Sequence, residues 1–243
     1  ITMPHWQNSS RARLAIKGKG EDFRRSMVKA YSNLCKHMPE NGLQVVMFTH
    51  QDAGVWADLA VILWASGLQV SSAWTIATET TSALKDGNYV QGTVLLVLRK
   101  NTSTDVAFLD EMVPRIEQEV KAQVDAMERI EDKEEPNFSD TDYQLAAYAA
   151  ALRVITGYRQ IEDLNVEREL SRSGKDAKSP LESIIENARN VAAAIRIPEA
   201  FDILLWKSIS PEERYYLRGL DFESKGENKA GAFQELAKNY GIR

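Results

Sequence analysis

The hydrophobic positions in the first hundred residues follow the pattern of an α/β protein. An apolar run from Leu43 to His50 predicts a strand that is covered on both faces, because such strands show little alternation with polar residues. Apolar residues then recur at the spacing of one helical face as far as Gly67, and Asp52 is placed to cap the start of that predicted helix. Two more strands are predicted, over residues 68–77 and 90–99.

After residue 100 the pattern becomes one of helices alone. Apolar residues repeat at threes and fours over residues 106–127, which predicts one long amphipathic helix. Ser179 and Ser210 each begin a capping box with proline at the first helical position, so helices are predicted to start there. We therefore predict an α/β part over residues 1–100 and a small α-helical domain over residues 101–243.

Composition narrows the class of protein. Of the 243 residues, 44% are hydrophobic and 27% are charged, which is typical of globular chains. No stretch approaches the roughly 20 apolar residues of a membrane span. The single cysteine, Cys35, excludes a disulfide framework and favours a cytoplasmic location. With three histidines and one thiol the chain has no zinc-site spacing, so no metal is expected.

Positive charge is concentrated near the start of the chain, although the net charge is −5. Such a cluster can contact the phosphate backbone of a nucleic acid, or it can be an ordinary solvated surface. Positive charge attracts acidic partners in general and does not identify one of them. The candidate phosphate contacts are Arg11, Arg13, Lys17, Lys19, Arg24 and Arg25.

The motifs of several common chemistries are missing. A nucleotide or S-adenosylmethionine site in an α/β sheet usually needs a glycine-rich turn after the first strand, and Gly18-Lys19-Gly20 follows no predicted strand. There is no Walker-type element and no Gly-x-Ser-x-Gly elbow. Ligands of open α/β sheets bind beyond the carboxyl ends of the strands. The best-placed polar residues are therefore His50-Gln51-Asp52 and Thr78-Glu79-Thr80.

Several longer stretches resemble one family of enzymes. These stretches are residues 14–25, 46–52, 55–60, 77–80 and 93–100. They are similar to the closing part of the large adenine-specific DNA methylases that carry an N-terminal domain of unknown function and often accompany phage-defence genes. The resemblance is strongest over residues 11–100 and continues more loosely to the end of the chain.

The resemblance implies a Rossmann-like methyltransferase sheet that ends in three strands, the last of them antiparallel and inserted between its two predecessors. In such enzymes a glycine-bearing loop holds S-adenosylmethionine, and an (Asp/Asn)-Pro-Pro-(Tyr/Phe) loop holds an adenine flipped out of the duplex. The chain has neither element, and no two of its prolines are adjacent. We therefore expect both elements upstream of Ile1, no catalytic residue in this chain, and no cofactor bound by it alone.

The matching residues also imply where DNA would lie. His50, Gln51, Asp52, Thr78 and Glu79 would form the rim of the target-base pocket. The basic segment between Arg11 and Arg25 would lie near DNA phosphates. A sheet of this kind without its central strands would expose one edge at residues 43–49, so we expect self-association.

One alternative belongs to a different class. The acidic amphipathic helix at residues 105–130 and the helices after it could dock a partner protein, with the α/β part as a scaffold. The chain would then be a non-catalytic protein-interaction or DNA-binding module of a phage-defence complex.

Overall fold

The computed structural model describes residues 20–77, 92–130, 138, 140–173, 178–198, 201–224, 226, 228, 230–240 and 242. Within these residues the protein is mixed α/β, with a three-stranded antiparallel sheet and a separate parallel pair of two-residue strands. In chain order the elements are α1 (Glu21–His37), β1 (Gln44–Phe48), α2 (Ala53–Ala65), β2 (Leu68–Ala77), β3 (Gly92–Lys100), β4 (Val106–Ala107), α3 (Leu109–Ile130), α4 (Asp140–Thr156), β5 (Gln160–Ile161), α5 (Val166–Ser171), α6 (Pro180–Ile195), α7 (Ile203–Ser208), α8 (Pro211–Ser224) and α9 (Ala230–Asn239).

The order of the three main strands is β1-β3-β2. β3 is antiparallel to both neighbours, so β1 and β2 run in the same direction and α2 is the crossover between them. The last strand therefore lies between its two predecessors, which is the arrangement that the resemblance implies. Three strands do not by themselves establish a Rossmann-like sheet.

Local signals set the ends of the helices. The Asp52 carboxylate accepts hydrogen bonds from the backbone N–H groups of Gly54 and Val55, so the predicted cap of α2 is confirmed. Gly67 follows α2 with a φ of 74°, in the left-handed region that favours glycine. At α8 the Ser210 hydroxyl accepts from the Glu213 N–H, while the Glu213 carboxylate accepts from the Ser210 N–H. The capping box predicted there is confirmed.

One face of the sheet is not covered by the described residues, contrary to the prediction that β1 is covered on both faces. Val45, Met47 and Trp74 are 56%, 61% and 55% exposed. Register places them on the same side as Leu95 and Val97, and we call these five residues the outer sheet face. On the opposite side the alternate residues of β3 are fully buried. Burial therefore alternates along β1, because the described helices pack against a single face.

The sheet and the first helices of the C-terminal half share one hydrophobic core. Trp56 of α2, Leu96 of β3, Leu152 of α4 and Ile185 of α6 all belong to it and are fully buried. The long helix predicted over residues 106–127 is α3, whose inward stripe is Met112, Ile116, Val120, Val124 and Met127. Residues on both sides of residue 100 therefore contribute to the same hydrophobic core.

The Thr156 hydroxyl connects the end of α4 to the start of β2. The backbone N–H of Val70, beside a β-bulge, donates to Thr156 Oγ1 at 2.8 Å, and this hydroxyl donates to Leu152 O at 2.7 Å. Thr156→Val keeps the shape but leaves the buried Val70 N–H without its acceptor, so we expect a loss of about 1–3 kcal/mol in the free energy of unfolding. Urea denaturation measures this loss.

Thr104 is exposed and provides the matched control. Thr104→Val should change stability by no more than about 0.5 kcal/mol. Equal effects of the two substitutions would contradict the role assigned to Thr156.

Candidate site at the carboxyl end of β1

The chain that leaves β1 is held in one conformation by short-range hydrogen bonds. The Asp52 N–H donates to His50 Nδ1 at 3.0 Å, and the Trp56 indole N–H donates to His50 O at 2.7 Å. Because Nδ1 is an acceptor, the proton of the neutral ring is on Nε2. The side chain of His50 is exposed, so this Nε2–H is available to a ligand.

Tyr148 of α4 lies beneath this loop. Its hydroxyl donates to Gln51 O at 3.3 Å, and its ring lies 5.6 Å from that of Trp56. Burial raises the pKa of Tyr148 above its usual value, so the phenol stays a neutral donor at physiological pH. This hydrogen bond fixes the backbone of Gln51, although Tyr148 and Gln51 are 97 residues apart in the chain.

Charged side chains of α6, and Lys178 just before it, flank the same loop. Glu186 pairs with Lys178 and with Arg189, the latter at 3.5 Å. The hydrogen bond from Lys178, together with the positive charges of Lys178 and Arg189, holds the pKa of Glu186 below its usual range. The Asp52 charge acts in the opposite direction, since two carboxylates repel each other. The loop is therefore bordered by both signs of charge.

We call His50, Gln51 and Asp52 the β1 rim. It offers an imidazole N–H, an amide and a carboxylate already engaged in capping. Among the described residues no three His, Cys, Asp or Glu side chains are grouped as a metal site would need. These three residues can therefore bind and orient a ligand by hydrogen bonds, and none of them is a nucleophile activated by a base.

Several predicted site residues lie outside the described residues. They are Thr78, Glu79 and Thr80 of the second strand end, and Arg11, Arg13, Lys17 and Lys19 of the basic segment. The β1 rim is thus the described part of the predicted base pocket.

The two described arginines of the basic segment differ sharply. Arg24 is only 4% exposed and donates to Leu170 O at 2.9 Å, to the Asp58 carboxylate at 3.1 Å and to Arg172 O. These partners enclose the guanidinium inside the protein, so we withdraw Arg24 as a phosphate contact. Arg25 stays on the surface, where its side chain is 40% exposed and pairs with Glu21 and Glu167.

Arg24 belongs to a partly buried charge network that the sequence did not reveal. Arg172 lies 3.6 Å from carboxylate oxygens of Asp58, Glu169 and Glu182, and the Ser179 hydroxyl donates to Glu169 at 2.6 Å. The network joins α1, α2, α5 and α6. The only local signal near it was the capping box at Ser179, which predicted a helix start and not the ion pairs.

Comparison of the chain with protein-family models, with curated proteins and with solved structures finds no match. The resemblance to adenine-specific methylases therefore rests on the sequence stretches given above. Among the described helices, none combines the length and the apolar character that crossing a lipid bilayer requires.

The adjacent arginines test the distinction between buried and exposed charge. Arg24→Leu removes one of the two cationic partners of Asp58 and leaves the carbonyl groups of Leu170 and Arg172 without this donor, so we expect a loss of roughly 3 kcal/mol in the free energy of unfolding. Arg25→Leu removes only exposed ion pairs and should leave the denaturation midpoint close to that of the unsubstituted protein. Chemical denaturation of both variants measures the difference, and similar midpoints would contradict the buried role of Arg24.

Proposed function

We propose that this chain is the C-terminal part of an S-adenosylmethionine-dependent DNA adenine N6-methyltransferase, and that it is not catalytic alone. The observation that carries the proposal is the order of the main strands, with antiparallel β3 inserted between the parallel strands β1 and β2. The two outer strands are parallel and therefore need a crossover connection, which α2 supplies. It agrees with what the sequence resemblance implies for the end of a Rossmann-like methyltransferase sheet.

The outer sheet face supports the same proposal. Its apolar side chains are more than half exposed at Val45, Met47 and Trp74, and no described strand pairs with the free edge of β1. Monomeric proteins rarely leave a contiguous apolar patch of this kind without a function. In the proposed enzyme further strands would continue the sheet beyond β1, and helices of the catalytic part would cover the outer sheet face.

In this proposal the β1 rim lies beside the catalytic loop of the intact enzyme. The loop that binds the methyl donor and the paired-proline loop would both belong to the upstream part of the enzyme. This chain has no glycine-bearing turn after a strand and no adjacent prolines. The exposed Nε2–H of His50 and the amide of Gln51 would contact the extruded base or its backbone. Thr78 and Glu79 would complete the rim, and the enzyme would act on DNA in the cytoplasm as part of phage defence.

The gene and a binding titration test the proposal together. We expect the same reading frame, upstream of residue 1, to encode a glycine-bearing loop and an (Asp/Asn)-Pro-Pro-(Tyr/Phe) loop. Labelled S-adenosylmethionine should bind the full-length protein and not this chain alone. A reading frame that starts near residue 1, with no binding of the methyl donor, would favour the non-catalytic interaction module instead.

The salt dependence of DNA binding tests the basic segment. Replacing Arg11, Arg13, Lys17 and Lys19 by glutamine in the intact enzyme should weaken DNA binding and lower the slope of log K against log salt by about 0.9 for each phosphate that is no longer neutralised. Lys121→Gln with Arg129→Gln is the control, because both residues are exposed on α3 in the helical part. An unchanged slope in the fourfold variant would remove the phosphate role.

Self-association is expected for this chain, because one edge of β1 has no partner among the described strands and its outer face is apolar. Val45→Lys with Met47→Lys places charges on that strand and should shift the protein toward monomer in light scattering. Leu204→Lys is the matched control, since Leu204 is 73% exposed but lies on α7. If the unsubstituted chain is monomeric at all concentrations, the prediction fails.

A further inference from the structure

A second candidate site lies where α4 and α6 meet the C-terminal helices. It is a cavity of about 130 Å³, and it shares no lining residue with the β1 rim. The polar and aromatic residues that line it are Tyr143, Gln144, Arg196, Trp206, Arg214 and Tyr240. They come from α4, from the end of α6, from α7, from α8 and from the end of α9.

The charge of this cavity favours an anion. Arg196 and Arg214 both line it, and no Asp or Glu does among the described residues. Guanidinium groups bind phosphate and carboxylate oxygens through parallel N–H donors, and they stay charged at any physiological pH. An anion in the cavity would therefore lie beside two guanidinium groups, which also keep partners within the protein, and beside the Gln144 amide.

The two arginines are already held in place. The Arg196 guanidinium carbon lies 3.7 Å from the centre of the Tyr143 ring, which is itself 1% exposed. Such cation–π stacking fixes the plane of the guanidinium. Arg214 Nε donates to Trp206 O at 2.9 Å, and the Trp206 ring packs 5.8 Å from that of Phe201. Groups positioned before binding lose little conformational entropy when a ligand arrives.

The size of the cavity restricts the ligand. A volume of 130 Å³ is much smaller than a whole-ligand pocket, which holds at least about 300 Å³. One phosphate group can enter, and the rest of a nucleotide must remain at the opening. Tyr240 lines the cavity and is half-buried. Base–aromatic stacking stabilises bound nucleotides without reading their identity.

We propose that this cavity binds the phosphate group of a nucleotide between Arg196 and Arg214, with the base stacked on Tyr240. The proposal stands on the lining residues alone and does not depend on the methyltransferase assignment. It predicts that a nucleotide binds more tightly than inorganic phosphate alone or a nucleoside alone.

The test is a calorimetric titration of the chain with inorganic phosphate, AMP and adenosine at constant ionic strength. AMP should bind more tightly than phosphate by about fivefold or more, as expected from one stacked base. Adenosine should not bind measurably. Tyr240→Ala should weaken AMP and leave phosphate unchanged, because only the base contacts that ring.

Substitution of the arginines tests the phosphate contacts. Arg196→Gln and Arg214→Gln should each weaken phosphate and AMP by about tenfold, which is the effect of removing one charge-assisted hydrogen bond. Arg153→Gln is the matched control, because Arg153 is an exposed arginine of α4 that pairs with Glu119 and does not line the cavity. Circular dichroism checks that each variant is folded.

Ala193→Leu provides a test that keeps both arginines. Ala193 lines the cavity and is exposed, so a larger side chain should fill space without disturbing the core. We expect it to weaken both ligands. Absence of phosphate and AMP binding to the unsubstituted chain would overturn the proposal, as would binding that all the arginine and alanine variants retain. Equal affinity for phosphate and AMP would overturn the stacking of a base on Tyr240.

Discussion

Helix α4 lies at the centre of the packing. The size of its side chains sets how closely the sheet and the neighbouring helices can approach it. The helix contacts the sheet through β2 and β3, and it contacts α2, α3 and α6 as well. Five buried alanines, from Ala146 to Ala151 with Tyr148 among them, let these neighbours approach closely. Larger side chains at these positions would force the sheet and the helices apart, because a close-packed interior has no room for added volume.

The polar side chains of the same helix define the places where function is proposed. The Tyr143 ring stacks against Arg196 in the cavity, and the Tyr148 hydroxyl donates a hydrogen bond to Gln51 of the β1 rim. Thr156 accepts a hydrogen bond from the Val70 N–H of β2. Tyr148 and Thr156 make these contacts with their hydroxyl groups, and Tyr143 makes its contact with the face of its ring. One rigid, buried helix therefore positions both candidate sites, which explains how residues about a hundred positions apart in the chain can form them.

Electrostatics holds the α/β part to the helices around it. Arg24 and Arg172 join α1 and α2 to the segment that precedes α6, and Asp58, Glu169 and Glu182 balance them. Buried charges are tolerated only with such partners, since an isolated one would be costly to desolvate. The described helices cover one face of the sheet and leave the outer sheet face apolar. A contiguous exposed apolar surface is typical of an interaction site.

The three main strands and the longer helices could be predicted from the sequence, because these depend on residues close together in the chain, whereas the short elements β4, β5, α5 and α7 were not predicted. Asp52 and Ser210 mark helix starts through hydrogen bonds to neighbours two or three residues away, and Gly67 supplies a left-handed turn. The apolar run of β1 correctly predicts a strand. The strand order followed only from the resemblance to known enzymes.

Which faces and charges are buried could be learned only from the folded protein. The run in β1 has apolar residues on both sides, so pattern alone could not show that Val45 and Met47 face outward. Arg24 and Arg25 are adjacent in the sequence, yet one is enclosed by carbonyl groups of a segment some 146 residues away and the other is exposed. Likewise Arg196 and Arg214, which are 18 residues apart in the chain, line the same cavity only in the folded protein. Such contacts depend on the whole fold, and no local pattern records them.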